Sequence, residues 1–129
     1  MSSIFTDIVE GKIPSYKIAE TATCLAFLDI NPNSVGHTLC IPKKEVDLIF
    51  DLDQDLYQDL MIFSKKIATA LKKAVPCERI GMSVIGLEVP HAHVHLIPIN
   101  SMKDVSFKNK VKLETKDFET LVDQIKSFL

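Results

Sequence analysis

The sequence predicts an α+β domain with a mostly antiparallel sheet. Two observations carry that prediction. Five short apolar runs bounded by turn formers lie at 16–20, 23–29, 36–42, 80–85 and 91–99. Three stretches of helical periodicity lie before, between and after them, in the order helix, strands, helix, strands, helix. The chain of 129 residues is 47% hydrophobic and 25% charged, which suits one globular domain over 1–129 with a core that needs no disulfide or metal staple.

Each element has a local reason. Ile4, Phe5, Ile8 and Val9 share one side of a short helix over 4–10, which Gly11 stops and Pro14 follows. Strands over 16–20 and 23–29 flank a turn at Glu20-Thr21-Ala22. The segment Asp29-Ile30-Asn31-Pro32-Asn33 is dense in turn formers. A third strand, 36–42, ends at Pro42. Leu56, Leu60, Phe63, Ile67, Leu71 and Ala74 then form one apolar stripe on a long helix over about 53–74, closed by Pro76. Strands over 80–85 and 91–99 follow. The polar stretch 101–114 has no assignable period and suits a lid, a dimer contact or a plain connection. A last helix over about 116–128 has Thr115 as its cap and Phe118, Leu121, Val122, Ile125 and Phe128 as its buried face.

The formal net charge of −2 gives no overall pull toward nucleic acid or an anionic membrane, although a local basic pocket would suffice for a small phosphorylated ligand. Cys24, Cys40 and Cys77 match no metal or redox spacing and are expected to be reduced. There is no charged segment followed by an apolar run at the start, and no apolar stretch of membrane-spanning length. A cytoplasmic protein is expected.

Three of the four histidines stand at 91, 93 and 95. On a strand these share one face, while Ala92, Val94 and Leu96 take the other, which suits burial. Packing alone accounts poorly for such a row. It suits either a metal site or a nucleophile with flanking imidazoles, and position alone does not separate the two.

The run His91-Ala-His-Val-His-Leu-Ile resembles the His-x-His-x-His-x-x signature of the histidine triad (HIT) superfamily. Ile4-Phe5-Thr6-Asp7-Ile8-Val9-Glu10-Gly11-Lys12-Ile13-Pro14 is similar to that family's opening segment. Cys24-Leu25-Ala26-Phe27-Leu28-Asp29-Ile30-Asn31-Pro32 is similar to its nucleoside-binding strand and turn, and Gly36-His37-Thr38-Leu39-Cys40-Ile41-Pro42-Lys43-Lys44 to the strand carrying its fourth histidine. The matches fall in order over most of residues 4–99, nearest the Hint-like branch.

The resemblance implies a five-stranded antiparallel sheet with one long helix and two shorter ones, usually paired as a homodimer. It also implies chemistry at the α-phosphate of nucleotides through a covalent nucleotidyl-histidine. By position, His93 would be the nucleophile, with His91 and His95 orienting it and contacting phosphate. His37 would be the supporting histidine near the leaving group. Asp29 would accept from the ribose hydroxyls, and Ile4, Phe5, Ile8, Ile13, Phe27 and Ile30 would wall the base pocket. No cofactor is implied.

The pattern breaks at two places. The family's phosphate-side amide and hydroxyl are replaced by Leu87 and Glu88, and its upstream asparagine is missing from Met82-Ser83-Val84-Ile85-Gly86. Ser83 or backbone N–H groups near Gly86 could compensate, and Glu88 is expected to point outward as a solvated strand residue. Many members bind a structural zinc partly through a Cys-x-x-Cys and a histidine after the Pro-Lys-Lys run. Ser3, Thr6 and Glu45 stand there in this chain, so no metal is expected. The leading expectation is an enzyme that releases a nucleoside monophosphate such as AMP from phosphoramidates or related conjugates. The alternatives are a dinucleoside polyphosphate hydrolase, a nucleotide-sensing module with vestigial catalysis, and a metal-dependent hydrolase.

Overall fold

The computed structural model describes residues 2–129. Five strands form one antiparallel sheet: β1 (Lys17–Glu20), β2 (Cys24–Leu28), β3 (Thr38–Pro42), β4 (Arg79–Ser83) and β5 (Val94–Ile99), in the spatial order β1-β2-β3-β5-β4. Three α-helices accompany it: α1 (Ile4–Val9), α2 (Gln54–Ala74) and α3 (Thr115–Lys126). The α+β fold class, with its five strands, one long helix and two shorter ones, stands as expected.

Every residue of β2 and β3 is buried. Apart from Thr38, whose hydroxyl donates to Gly36 O, both strands are apolar, because both faces of the sheet are covered. On one face Cys24, Ala26, Leu28, Cys40, Val94 and Leu96 pack with Leu60, Phe63, Ile67 and Leu71 of α2 and Phe118, Leu121 and Ile125 of α3. Tyr16 stacks on Phe118 with ring centroids 4.7 Å apart and helps seat α3. On the other face Leu25, Phe27, Leu39 and Ile41 meet Phe5 of α1. The helices have the expected kinds of ends. The Asp53 carboxylate accepts from Leu56 N–H at 2.9 Å at the start of α2, and the Ser3 hydroxyl accepts from Thr6 N–H at 3.1 Å at the start of α1.

Several boundaries differ from the sequence reading, each for a physical reason. The last strand begins at Val94 rather than 91. Cys40 pairs with Val94, so residue 92 would next pair with Pro42, which has no N–H to offer. Ala92 N–H donates instead to Val46 O at 2.7 Å, on the connection that leaves β3. β4 ends at Ser83, and 84–93 is irregular. Glu114, not Thr115, caps α3: its N–H donates to Asp117 Oδ2 at 2.9 Å, and Thr115 is the first helical residue. Phe128 lies beyond the end of α3 and is 48% exposed, so it does not belong to that helix's buried face.

Candidate active site

A cleft of about 550 Å³ opens between α1 and the sheet face carrying Phe27, Leu39 and His95, a size that suits a small-molecule ligand. Its walls include Phe5, Ile8, Ile13, Phe27 and Leu39, with Ile4 and Ile30 at the mouth, both well exposed. Asp29, just after β2, lies in the same wall, and His93 and His95 form part of the floor. All seven residues expected to bind a nucleoside thus line one cleft. His37 and His91 do not line it: they are buried behind it, at 1% and 0% exposure.

The four imidazoles divide into two hydrogen-bonded sets whose partners fix their tautomers. Asn33 N–H donates to His37 Nδ1 at 2.9 Å, so the proton of neutral His37 sits on Nε2. That Nε2–H faces His95 Nδ1 at 3.0 Å. His95 therefore accepts at Nδ1 and carries its own proton on Nε2. Burial pushes His37 down to about 3 and His95 to about 4, with neighbouring cationic groups adding to both shifts, so both rings are neutral at ordinary pH.

The second set holds His93. Its Nδ1 lies 2.7 Å from His91 O, a carbonyl that can only accept, so the proton is on Nδ1 and Nε2 keeps its lone pair. Phe5 presses on the His93 ring, edge to face, with centroids 5.0 Å apart, and the His95 ring centroid stands 4.9 Å from it. His91 in turn is held at both nitrogens: Nε2–H donates to Pro42 O at 2.8 Å, and Ser3 Oγ–H donates to Nδ1 at 2.8 Å. Burial holds its pKa below the usual range. Both His91 ring nitrogens are thus engaged within the protein, and its backbone carbonyl is the group that meets His93. With both of its nitrogens engaged, the three triad rings do not converge as one metal-ligand set.

Asp29 stands beside the contact between His37 and His95. Its Oδ2 lies 3.6 Å from His37 Nε2, and Asn31 N–H donates to its Oδ1 at 2.8 Å. Burial lifts its carboxyl above the usual range against that hydrogen bond. Asp29, His37 and His95 each bring a ligand atom within 4.8 Å of the others, but the inter-ring hydrogen bond already uses two of those atoms.

The stretch 101–114 proves to be a roof. Met102–Val105 forms a 3-10 turn, after which Phe107 packs edge-on against His95 at 4.9 Å and Lys110 reaches the cleft. The roof is tied to the 29–33 turn: Val111 N–H donates to Pro32 O at 2.9 Å, Asn33 Nδ2 to Asp104 O at 3.2 Å, and Lys110 Nζ to Asn33 Oδ1 at 2.8 Å. Sequence reasoning missed Leu39, Phe107 and Lys110. Leu39 was findable, because it lies opposite both Phe27 and His95 in the sheet and must share their face. Nothing periodic marks the other two.

Leu87 and Glu88 line the rim of the cleft. Glu88 is exposed as expected, but it sits in the irregular segment after β4 and not on a strand. Ser83 cannot replace the missing phosphate-side hydroxyl, since its Oγ is enclosed without a partner and outside the cleft lining.

The place of the family's structural zinc is filled by hydrogen bonds. Thr6 Oγ1 donates to Glu45 Oε1 at 2.6 Å, Ser3 N–H donates to the same oxygen, and Ser3 Oγ holds His91. Hydroxyls engaged with one another and with a carboxylate do not fit a zinc site of thiolates and imidazoles.

Fold and site together define a class: an α+β domain with a histidine row on the floor of an apolar cleft, backed by a buried imidazole relay. The family model for the HIT domain matches residues 10–102. The chain is 38% identical to an uncharacterized HIT-like protein of Borreliella burgdorferi, over 95% of this chain and 94% of that one. It is 40% identical to an adenosine 5′-monophosphoramidase of Schizosaccharomyces pombe, over 76% of this chain and 74% of that one. Among solved structures, a Hit-like protein involved in cell-cycle regulation from Bartonella henselae superposes with a TM-score of 0.87 at 30% identity, covering 99% of this chain and 96% of that one. This protein belongs to the HIT family.

Proposed function

We propose that this protein cleaves nucleoside phosphoramidates or related nucleotidyl conjugates at the α-phosphate, releasing a nucleoside monophosphate such as AMP. The observation that carries the reading is His93, whose Nδ1–H is fixed on His91 O at 2.7 Å and whose Nε2 is left as a lone pair in a cleft. In the first half-reaction Nε2 attacks phosphorus, the Nε2–P bond forms, and the P–N bond breaks. The amine leaves with that electron pair and takes a proton from solvent. In the second half water attacks phosphorus and gives up a proton to solvent, the Nε2–P bond breaks with its electron pair returning to Nε2, and the monophosphate departs. His95 Nε2–H, held in that tautomer by His37, donates to a phosphate oxygen as charge gathers there. The relatives named adenosine 5′-monophosphoramidase, at 36–40% identity, support this substrate class.

The test is AMP release from adenosine 5′-phosphoramidate, with chelator present, by wild type and His93→Ala. At least a hundredfold loss, about 2.7 kcal/mol of barrier, is expected. Equal activity in both proteins would refute the nucleophile.

The same reading includes a homodimer. β4 is an edge strand, and Met82, Val84, Ile85 and Leu87 expose apolar side chains along it and the loop that follows. Light scattering should return twice the chain mass of 14.4 kDa. No helix among the described residues is long and apolar enough to cross a membrane, and three free thiols suit a reducing compartment such as the cytoplasm.

A further inference from the structure

The chain's departures from the family pattern leave no side-chain donor at Leu87 or Glu88, and the cleft holds a charged donor elsewhere. Leu87 offers no polar atom, and Glu88 presents a carboxylate that repels phosphate. Lys110 is the one lysine or arginine among the described residues that line the cleft. Its ammonium is aimed rather than free. Asn33 Oδ1 accepts from Nζ at 2.8 Å, and Nζ lies 5.0 Å from the centroid of the Phe107 ring. No carboxylate among the described residues lies within ion-pair distance of it. Its field also reaches the site, as it lowers the pKa of Asp29, His37 and His95. An ammonium with two N–H donors still unused, engaged in no ion pair and lining the same cleft as His95, is a place for an anion.

We propose that Lys110 is the residue of the cleft that binds a phosphate oxygen of the substrate. The proposal rests on the nucleotide reading above and deepens it. The roof carries the charge that selects phosphorylated over neutral ligands and takes over the phosphate-side role that the side chains of the 83–88 loop lack. The oxygen belongs either to the α-phosphate or to a second phosphate beyond it, and the ligands of the test separate these sources. Because Lys110 stays largely exposed at the rim, its effect is screened by salt and is read best at low ionic strength.

The experiment is calorimetric titration of adenosine, AMP and α,β-methylene-ADP (whose P–C bond resists cleavage) into wild type, Lys110→Met and Lys110→Arg. Lys110→Met should leave adenosine affinity within about twofold. It should weaken AMP by about tenfold, ~1.4 kcal/mol, if the α-phosphate is held. If the second phosphate is held, AMP is spared and the diphosphate analogue weakens instead. Lys110→Arg should recover most of either loss. Affinities unchanged for all three ligands, or lowered for all three by one factor as for a mere pin of the roof, would overturn the assignment. Wild type that binds none of the three would overturn the nucleotide reading itself, and Lys110 with it. A Lys110→Met protein that loses only the phosphate increment leaves that reading standing.

Discussion

Acidification from pH 7 to pH 5 should cost this protein about 4 kcal/mol of folding stability through two side chains. His37 and His95 are held at about 3 and about 4 in the folded state. In the unfolded chain each titrates near 6.5. Between those values the unfolded chain takes up protons that the folded one refuses, so stability is full above about pH 6.5 and falls as pH drops through the window toward 4. At pH 5 both folded rings are still neutral. The loss from pH 7 is therefore set by the unfolded chain alone, at about 2 kcal/mol for each ring. Glu20 works in a lower window. Hydrogen bonds from Lys43 and Lys17 hold it at about 2, so its share is present above about pH 4.5 and lost below that. The assay is urea unfolding at pH 7 and pH 5 for wild type and His37→Gln. The variant removes one titrating ring and should show a pH difference smaller by about 2 kcal/mol. A wild-type stability equal at the two pH values would refute the neutral relay. An undiminished pH difference in the variant would remove His37 from it.

Three further outcomes follow from the same geometry. We propose that the Asp29 carboxylate accepts from the ribose diol; Asp29→Asn should then weaken AMP several-fold while leaving 2′,3′-dideoxy-AMP nearly unaffected, read by competitive binding. Phe5→Ala should lower stability by about 3 kcal/mol in urea melts and cut kcat, since the ring packs on Phe27, His91 and His93 together. Gly36→Ala should destabilise by about 2 kcal/mol or more: φ is +95°, and a Cβ there would stand 2.9 Å from Val75 Cγ2. A thermal melt of that variant matching wild type would refute the tight approach of this turn to the end of α2.

Helix α2 was legible because Leu60, Phe63, Ile67 and Leu71 keep a helical period and all four are buried. The apolar walls were legible from the resemblance, and all of them line the cleft. The shared face of the triad was legible in part. Ala92, Val94 and Leu96 do enter the helix-side core, but Pro42 halts the ladder before His91 and His93 join it. What stayed hidden depends on long-range pairing. His37 and His95 are 58 positions apart, and their contact follows from the β3–β5 register, which no local pattern encodes. The roof was hidden for a different reason. Its Phe107 and Lys110 are placed by hydrogen bonds to the 31–33 turn, and such bonds leave no periodic trace.

Asn33 is where these hidden parts meet. Its backbone N–H sets the His37 tautomer, its amide nitrogen holds the roof at Asp104, and its amide oxygen steadies Lys110. A random-mutagenesis screen scored on turnover should therefore return position 33 among its inactive clones. The side chain is absent from the cleft lining, so inhibitor design that surveys only that lining would pass it over. Resistance changes that spare the wall residues yet alter inhibitor affinity are expected to arise there.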